Sequence, residues 1–289
     1  MNGILLVDKP TDWTSHDVVA KLRGQLHERR AGHSGTLDPL ATGLLVLFFG
    51  RATKAVEYAE ADEKEYTAGI RFGLRTDTQD ISGNVLQECA HYVTWEQLNA
   101  VLPRFYGPQK QIPPMYSAIK CNGQKLYEIA RRGREVEREA RDITIYQLSA
   151  GGQLPDDVFL DVRCSKGTYI RTLCHDIGDS LGCGACMSSL RRTRAGVFDL
   201  SQAYTMAEIA QAAQEGRAEE LLLPVDTLFS QLDSIILSEK QEKCMRHGSS
   251  FSTHMPAGRY RAYSKDGEFL VLARCEDGVM KVEKCFCEV

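Results

Sequence analysis

GHSGTLDPLATG, residues 32–43, is the stretch that restricts the fold and the chemistry of this chain most strongly. Pro39 disfavours helical geometry at Asp38, and the glycines of the stretch permit a tight loop and the close approach of a ligand. A carboxylate held on such a loop beside an apolar strand can be desolvated and can act as a nucleophile or a base. Asp-Pro in a glycine-rich loop is more often only a turn, so on local evidence Asp38 is a candidate and no more.

The segments around this loop, which we predict over residues 31–42, mix strand and helix patterns without a strict βαβ rhythm. Residues 44–49 are continuously apolar and predict a central strand, whereas residues 66–72 alternate in polarity, which is typical of a half-buried strand. Further strands are predicted over residues 3–7, 142–149 and 158–164, with a turn at 151–157. Helix N-caps are predicted at Ser15, Thr94, Thr168 and Thr205. This pattern predicts an α+β fold.

After about residue 230 the sequence pattern changes to short predicted strands. Short strand patterns at 259–264, 268–273 and 279–282 are separated by Asp-Gly pairs, which are strong hairpin signals. We therefore predict two domains, residues 1–230 and a small β-rich domain over residues 231–289.

Composition is that of an ordinary soluble protein, with 43% apolar and 26% charged residues among 289. No apolar run is long enough to span a bilayer, and the N-terminal residues do not resemble a signal peptide, so we expect a cytoplasmic protein. The ten cysteines have poor spacing for a metal site and are expected to be reduced, mostly buried thiols.

Positive charge is concentrated in two islands although the net charge is −4. Residues 115–141 hold seven Lys or Arg against four Glu, and residues 163–194 hold six against two Asp. Such islands can bind a polyanion if the fold brings them together. The charge pattern is equally compatible with two separate solvent-exposed surfaces that bind nothing.

Residues 32–44 resemble the catalytic loop of the bacterial tRNA pseudouridine-55 synthases, which runs G-H-x-G-T-L-D-P-x-A-x-G-x-L. Every fixed position of that pattern is present. Further matching blocks follow in family order, at residues 8–10, 14–19, 50–54, 64–66, 73–78, 114–120, 165–171 and 190–194. The resemblance implies the pseudouridine-synthase fold, a mixed and largely antiparallel sheet flanked by helices, and no cofactor or metal.

The same resemblance implies roles for individual residues. Asp38 would be the nucleophile, Arg171 would pair with it and keep it ionised, and Tyr66 would stack on the target uracil and relay a proton. Tyr169 would line the pocket, and His33 would take the place of the flipped base. Substrate contacts are expected from Lys9, Gly35, Arg131, Arg132, Arg191 and Arg192. By local pattern alone, Tyr66 would be a core aromatic and His33 a solvated loop residue.

The implied substrate is the T stem-loop of tRNA, modified at position 55. Residues 115–141 resemble the family's insertion, or thumb, which closes over the RNA, and residues 231–289 resemble the RNA-binding PUA domain. The expected protein is a monomer that needs no obligate protein partner or membrane and that also assists tRNA folding.

Two departures from the family pattern stand out, Asp12 where glycine is usual and Gln79 where an acidic residue is usual. Neither touches the expected chemistry. Two other functions remain open from the sequence, a non-catalytic RNA-binding or RNA-folding protein and an unrelated hydrolase with Asp38 as its carboxylate. Retention of both Asp38 and Arg171 argues against the first, and no paired acid at a suitable spacing supports the second.

Overall fold

The structure, a computed structural model, describes residues 1–60, 63–90, 93–121, 123–154 and 157–288. The strands in chain order are β1 (Gly3–Lys9), β2 (Ala31–Ser34), β3 (Thr42–Phe49), β4 (Lys64–Phe72), β5 (Leu74–Thr76), β6 (Val85–Glu88), β7 (Gly107–Gln111), β8 (Lys120–Cys121), β9 (Gln124–Lys125), β10 (Arg141–Gln153), β11 (Asp157–Cys164), β12 (Ala185–Ala195), β13 (Phe198–Asp199), β14 (Tyr204–Thr205), β15 (Asp233–Ile236), β16 (Phe251–Ser252), β17 (Gly258–Tyr263), β18 (Phe269–Glu276) and β19 (Val279–Cys285). The helices are α1 (Ser15–Gln25), α2 (Val56–Glu60), α3 (Trp95–Val101), α4 (Leu126–Ala130), α5 (Ile170–Ser180), α6 (Met206–Gln214) and α7 (Glu239–Arg246).

A ten-stranded sheet forms the body of the protein. Its main order is β14-β1-β3-β12-β4-β11-β10-β7, with β2 beside β3 and β13 beside β12. All pairs are antiparallel except β1 with β14 and β3 with β12. The predicted α+β fold with a mixed, largely antiparallel sheet is therefore confirmed.

Strand β3 is buried on both faces of this sheet, which explains its continuous apolar sequence. Leu45, Leu47 and Phe49 enter one core cluster, and the alternate residues Leu44, Val46 and Phe48 enter a second on the opposite face. A strand covered on one face alternates in polarity, whereas a strand covered on both does not. The Asp38 loop thus leads directly into the most buried strand of the sheet.

Three local predictions are wrong. Thr14, not Ser15, is the N-cap of α1, with its hydroxyl accepting from the Asp17 amide, because the Ser15 hydroxyl is occupied by Leu37. Thr168 does not cap α5, since its hydroxyl donates to the Ser165 carbonyl. The predicted loop over residues 31–42 begins as strand β2, which pairs with β3. The errors at Ser15 and over residues 31–42 come from contacts with residues farther along the chain, whereas Thr168 bonds to a carbonyl three residues before it.

The other predicted elements are present at shifted ends. Thr94 and Thr205 both form complete capping boxes. Strand β10 extends to Gln153, and residues 155 and 156 of the predicted turn lie outside the described residues. None of the helices in the described part of the chain is long and apolar enough to cross a membrane.

The backbone at Asp12 explains one departure from the family pattern. Asp12 has φ of +63°, a left-handed conformation that glycine adopts without strain. Its amide donates to the Pro39 carbonyl at 2.9 Å, so this turn lies against the Asp38 loop.

Asp12→Gly is expected to raise the free energy of unfolding by about 0.5 kcal/mol, because relief of backbone strain exceeds the added freedom of the unfolded chain. The matched control is Asp12→Ala, which also removes the carboxylate but keeps Cβ and should be less stable than wild type. Urea unfolding measures both. Equal stability of the two variants would contradict this account.

A second sheet, in the order β15-β17-β18-β19-β16, is built from the C-terminal residues. Both of its predicted Asp-Gly turns join consecutive strands, and Asp277 and Gly278 both have positive φ, as a tight hairpin turn requires. Phe269 and Phe286 stack on each other and pack with Phe229 from the preceding segment. An aromatic cluster therefore attaches the second sheet to the body of the protein.

Candidate active site

Asp38 and Arg171 form an ion pair at the centre of the candidate site. Arg171 Nε lies 3.0 Å from Asp38 Oδ2, and Arg171 is 5% exposed. The guanidinium also lies 3.5 Å from Asp80 Oδ2 and donates to the Thr78 and Tyr116 carbonyls at 3.1 and 2.8 Å. The pairing implied by the family resemblance is thus present, and Arg171 bridges two carboxylates.

Asp80 is a site residue that the sequence reasoning missed. Its side chain is buried and accepts hydrogen bonds from Thr78 and from both the amide and the hydroxyl of Ser82. The matched block ends at Thr78, two residues short of it. An acidic residue just beyond that block was the available signal.

Buried polar groups hold the Asp38 loop in place from three directions. The Ser15 hydroxyl accepts from the Leu37 amide at 2.9 Å and donates to the Leu37 carbonyl at 3.1 Å. Lys9 Nζ donates to the Pro39 carbonyl at 3.3 Å, and Arg192 donates to the Gly35 carbonyl at 3.0 Å. The loop is therefore fixed by β1, α1 and β12, and Asp38 is preorganised.

The Asp38 carboxyl is partly desolvated yet reachable. Its side chain is 38% exposed, and the surrounding protein desolvates the carboxyl. Burial raises the pKa of Asp38 above its ordinary value; Arg171 and Lys9 oppose this shift, and the nearby Asp80 charge adds to it. A carboxylate that is poorly hydrated and still accessible is a good nucleophile or base.

Lys9, for which a substrate contact is predicted, lies in the protein interior, and that contact stays a prediction. It is 0% exposed, and its ammonium donates to the carbonyls of Pro10, Trp13 and Pro39. Desolvation lowers the pKa of Lys9 to about 8 despite the nearby Asp38 charge. Lys9 ties the end of β1 to the Asp38 loop.

The burial of Lys9 predicts a pH-dependent contribution to stability. Between about pH 8 and 10.5 the folded protein loses this proton while the unfolded chain retains it, so stability attributable to Lys9 rises with pH. The free energy of unfolding of wild type should therefore rise relative to that of Lys9→Met as the pH increases across this range. Urea titrations at several pH values measure it, and parallel curves for the two proteins would refute the prediction.

Arg191 and Arg192, for both of which substrate contacts are predicted, have different surroundings. Arg191 is partly exposed and paired with Asp8 at 2.8 Å. Arg192 is 1% exposed, with Nε donating to the Leu44 carbonyl at 2.6 Å, so its guanidinium faces the protein interior. Successive residues of a strand face opposite sides of the sheet, and only one of the two faces solvent here.

Two tyrosines lie near Asp38. Burial raises the pKa of both Tyr66 and Tyr169, and the charge of Asp38 contributes in the same direction. Tyr169 precedes α5, and its backbone amide and carbonyl both bond to the buried side chain of Gln111. Gln111, rather than Thr168, thus fixes the start of the helix that carries Arg171.

His33 lies on β2 at the edge of the same loop. Its ring centroid is 5.5 Å from that of His16, and its Nδ1 is buried without a hydrogen-bond partner in the described part of the chain. Burial, with a smaller contribution from His16, lowers the pKa of His33. The ring is therefore neutral at pH 7 and suited to contact with an aromatic base.

The basic segment over residues 115–141 has a small core of its own. Met115, Leu126 and Ile129 are buried together. Arg131 and Arg132 are exposed, and the Arg131 guanidinium lies 5.4 Å from the centre of the Tyr127 ring. Residue 122 is outside the described part. These arginines remain available to an anionic partner.

Metal ligation has no support in the described ranges. They contain no group of three or more His, Cys, Asp or Glu side chains arranged to hold an ion. All ten cysteines are free thiols, and six of them are buried.

Comparisons with known proteins agree on one family. Residues 23–170 match the family model described as TruB family pseudouridylate synthase (N terminal domain), and residues 171–230 match the tRNA pseudouridylate synthase B C-terminal domain. The chain is similar to tRNA pseudouridine synthase B of Stutzerimonas stutzeri (strain A1501), with 44% identity over 284 residues covering 96% of this chain and 93% of that protein.

A second relative and a solved structure extend this likeness. The tRNA pseudouridine synthase B of Ralstonia nicotianae is 44% identical over 296 residues, covering 98% of this chain and 94% of that protein. A chain in the crystal structure of a Cbf5-Nop10-Gar1 complex superposes with a TM-score of 0.75 and 25% identity, covering 99% of this chain and 85% of that one.

Proposed function

Since the chain belongs to the TruB family of pseudouridylate synthases, we propose that it isomerises uridine 55 in the TΨC loop of tRNA to pseudouridine, with Asp38 as the nucleophile. The observation that carries this proposal is the Asp38–Arg171 ion pair, at 3.0 Å, on a loop held by three buried polar side chains. That arrangement keeps a desolvated carboxylate ionised and in place.

The proposed reaction breaks the bond from N1 of the uracil to C1′ and forms a bond from C5 to C1′. The proton on C5 is released, and N1 takes up a proton. No atom or electron is gained overall, so the reaction consumes no redox partner. An ionised Asp38 serves each open route, whether it attacks the sugar, attacks the base or assists formation of a glycal.

The other site residues have compatible roles in this proposal. The target base must leave the stack before its glycosidic bond can be reached. Neutral His33 occupies the space it vacates, while Tyr66 and Tyr169 line the pocket that receives it. Arg131 and Arg132 contact RNA phosphates, which position the RNA without reading its sequence.

We assign the remaining parts of the chain in the same way. Residues 115–141 act as the thumb, whose first residues contact the site through the Tyr116 carbonyl. Residues 231–289 act as a PUA-like RNA-binding domain, and residues 1–230 carry the catalysis. The protein works in the cytoplasm on free tRNA, as a monomer without a protein partner.

Tritium release from tRNA transcript labelled with [5-³H]uridine tests the proposal. Release of one equivalent from wild-type transcript, with none from a transcript carrying cytidine at position 55, is the expected result. Release from both transcripts would place the modification elsewhere. Binding of tRNA without any release would favour an RNA-folding protein that does not catalyse.

A further inference from the structure

Arg192 is a buried cation without an acidic partner. It is 1% exposed, and none of the ion pairs found in the described ranges includes it. The partners that the described residues offer its guanidinium are dipoles, the Leu44 carbonyl at 2.6 Å and the Gly35 carbonyl at 3.0 Å. Burying an unpaired charge is costly. An apolar side chain would serve packing alone at lower cost, so the charge itself needs an explanation.

The contacts of Arg192 join the parts of the site that have to be held together. Gly35 belongs to the Asp38 loop, and Leu44 belongs to β3. Arg192 is also paired in register with Tyr66 on the neighbouring strand β4, so the two residues are direct cross-strand neighbours. Arg192 therefore links the loop that carries the carboxylate to the strand that carries the tyrosine.

The glycines of the loop make this approach possible. Gly35 has φ of +65°, and a Cβ added there would lie 3.1 Å from Arg192 Nη1. Gly43 has φ of +92°, and a Cβ added there would lie 2.4 Å from the Arg192 carbonyl. A side chain at position 35 would crowd the guanidinium itself, whereas one at position 43 would collide with the backbone of β12.

The charge of Arg192 also reaches other residues of the site. Desolvation dominates the pKa shifts of Tyr66, Lys9 and His33, and Arg192 lowers the pKa of all three. A single buried charge thus favours the ionised form of Tyr66 and the neutral form of the two neighbouring basic groups.

We infer that Arg192 is a positioning residue that holds Tyr66, its cross-strand neighbour, in place relative to the Asp38 loop, and that it affects the isomerisation through Tyr66. This inference rests on the proposed function and adds to it a residue that touches no substrate. The nearest alternative is a purely structural role, in which Arg192 only stabilises the junction of β3, β4 and β12.

A double-mutant cycle between Arg192→Lys and Tyr66→Phe separates these two roles. Lysine keeps the charge but lacks the planar fork with which Arg192 donates to the Leu44 and Gly35 carbonyls together. We expect Arg192→Lys to slow single-turnover tritium release by about 10- to 100-fold, as a displaced site residue does, with little change in tRNA affinity. In the Tyr66→Phe background the same change should slow release by less than about threefold further. The residue through which Arg192 acts is already altered in that background.

Arg163→Lys is the matched control, since Arg163 pairs with Glu63 at the surface of β11 and should leave the rate unchanged. An equal effect of Arg192→Lys in both backgrounds, or none in either, would overturn the inference. If the lysine variant does not fold, Arg192→Gln, which needs no counter-charge, replaces it in the cycle. A wild-type protein that releases no tritium would refute the proposed function itself, and the inference with it.

Discussion

Asp38→Asn is expected to lower the single-turnover rate of tritium release by at least about 10³-fold, the scale at which loss of a nucleophile is felt. Asparagine has the same shape as aspartate but cannot attack carbon or accept a proton. The amide oxygen of the asparagine can still accept a hydrogen bond from Arg171 Nε, so the loop should keep its position. Affinity for tRNA, measured by filter binding, should change little.

Asp142→Asn is the matched control for this substitution. Asp142 lies at the surface, and its one ion pair within the described ranges is with Lys110 at 3.0 Å, so its loss should leave the rate unchanged. Full activity of Asp38→Asn would exclude Asp38 as nucleophile. If the inactive variant still accelerates the folding of unmodified tRNA, folding assistance is a separate activity of the same surface.

Arg171→Met should have the second largest effect, on both rate and stability. It leaves Asp38 and Asp80 without their shared cation, and removing one partner of a buried ion pair costs about 3–5 kcal/mol. Arg171 lowers the pKa of Asp38 against the larger effect of burial, so its removal should raise that pKa further. Activity needs the ionised carboxylate, so the rate should begin to fall at a higher pH in the variant as the solution is acidified.

A pH series of single-turnover rates measures this shift, with Arg217→Lys, which alters an exposed ion pair, as the control. Arg171→Lys should show a smaller shift because it retains a positive charge, although it loses the bonds to Thr78 and Tyr116. An unchanged acid limb in Arg171→Met would show that the ionisation of Asp38 does not set the pH dependence.

Much of this protein was predictable because the relevant signals are local. Thr94 and Thr205 cap helices through residues three positions away. The apolar run of β3 and the Asp-Gly turns of the second sheet report on burial and on backbone geometry at those same residues. The contiguous stretch at residues 32–44 was enough to indicate the family. It also placed Asp38 on a loop beside a buried strand.

Charged residues were predicted least well, because their roles depend on distant contacts. The sequence presents Lys9, Arg191 and Arg192 alike as basic side chains near a family motif. Only the tertiary structure separates buried Lys9 and Arg192 from exposed Arg191, and only it brings Asp80 to Arg171. Arg192 meets Gly35 across 157 positions of the chain. A buried cation is stable only where the fold places hydrogen-bond acceptors such as carbonyls around it. Their placement depends on how the whole sheet packs, not on any local stretch of residues.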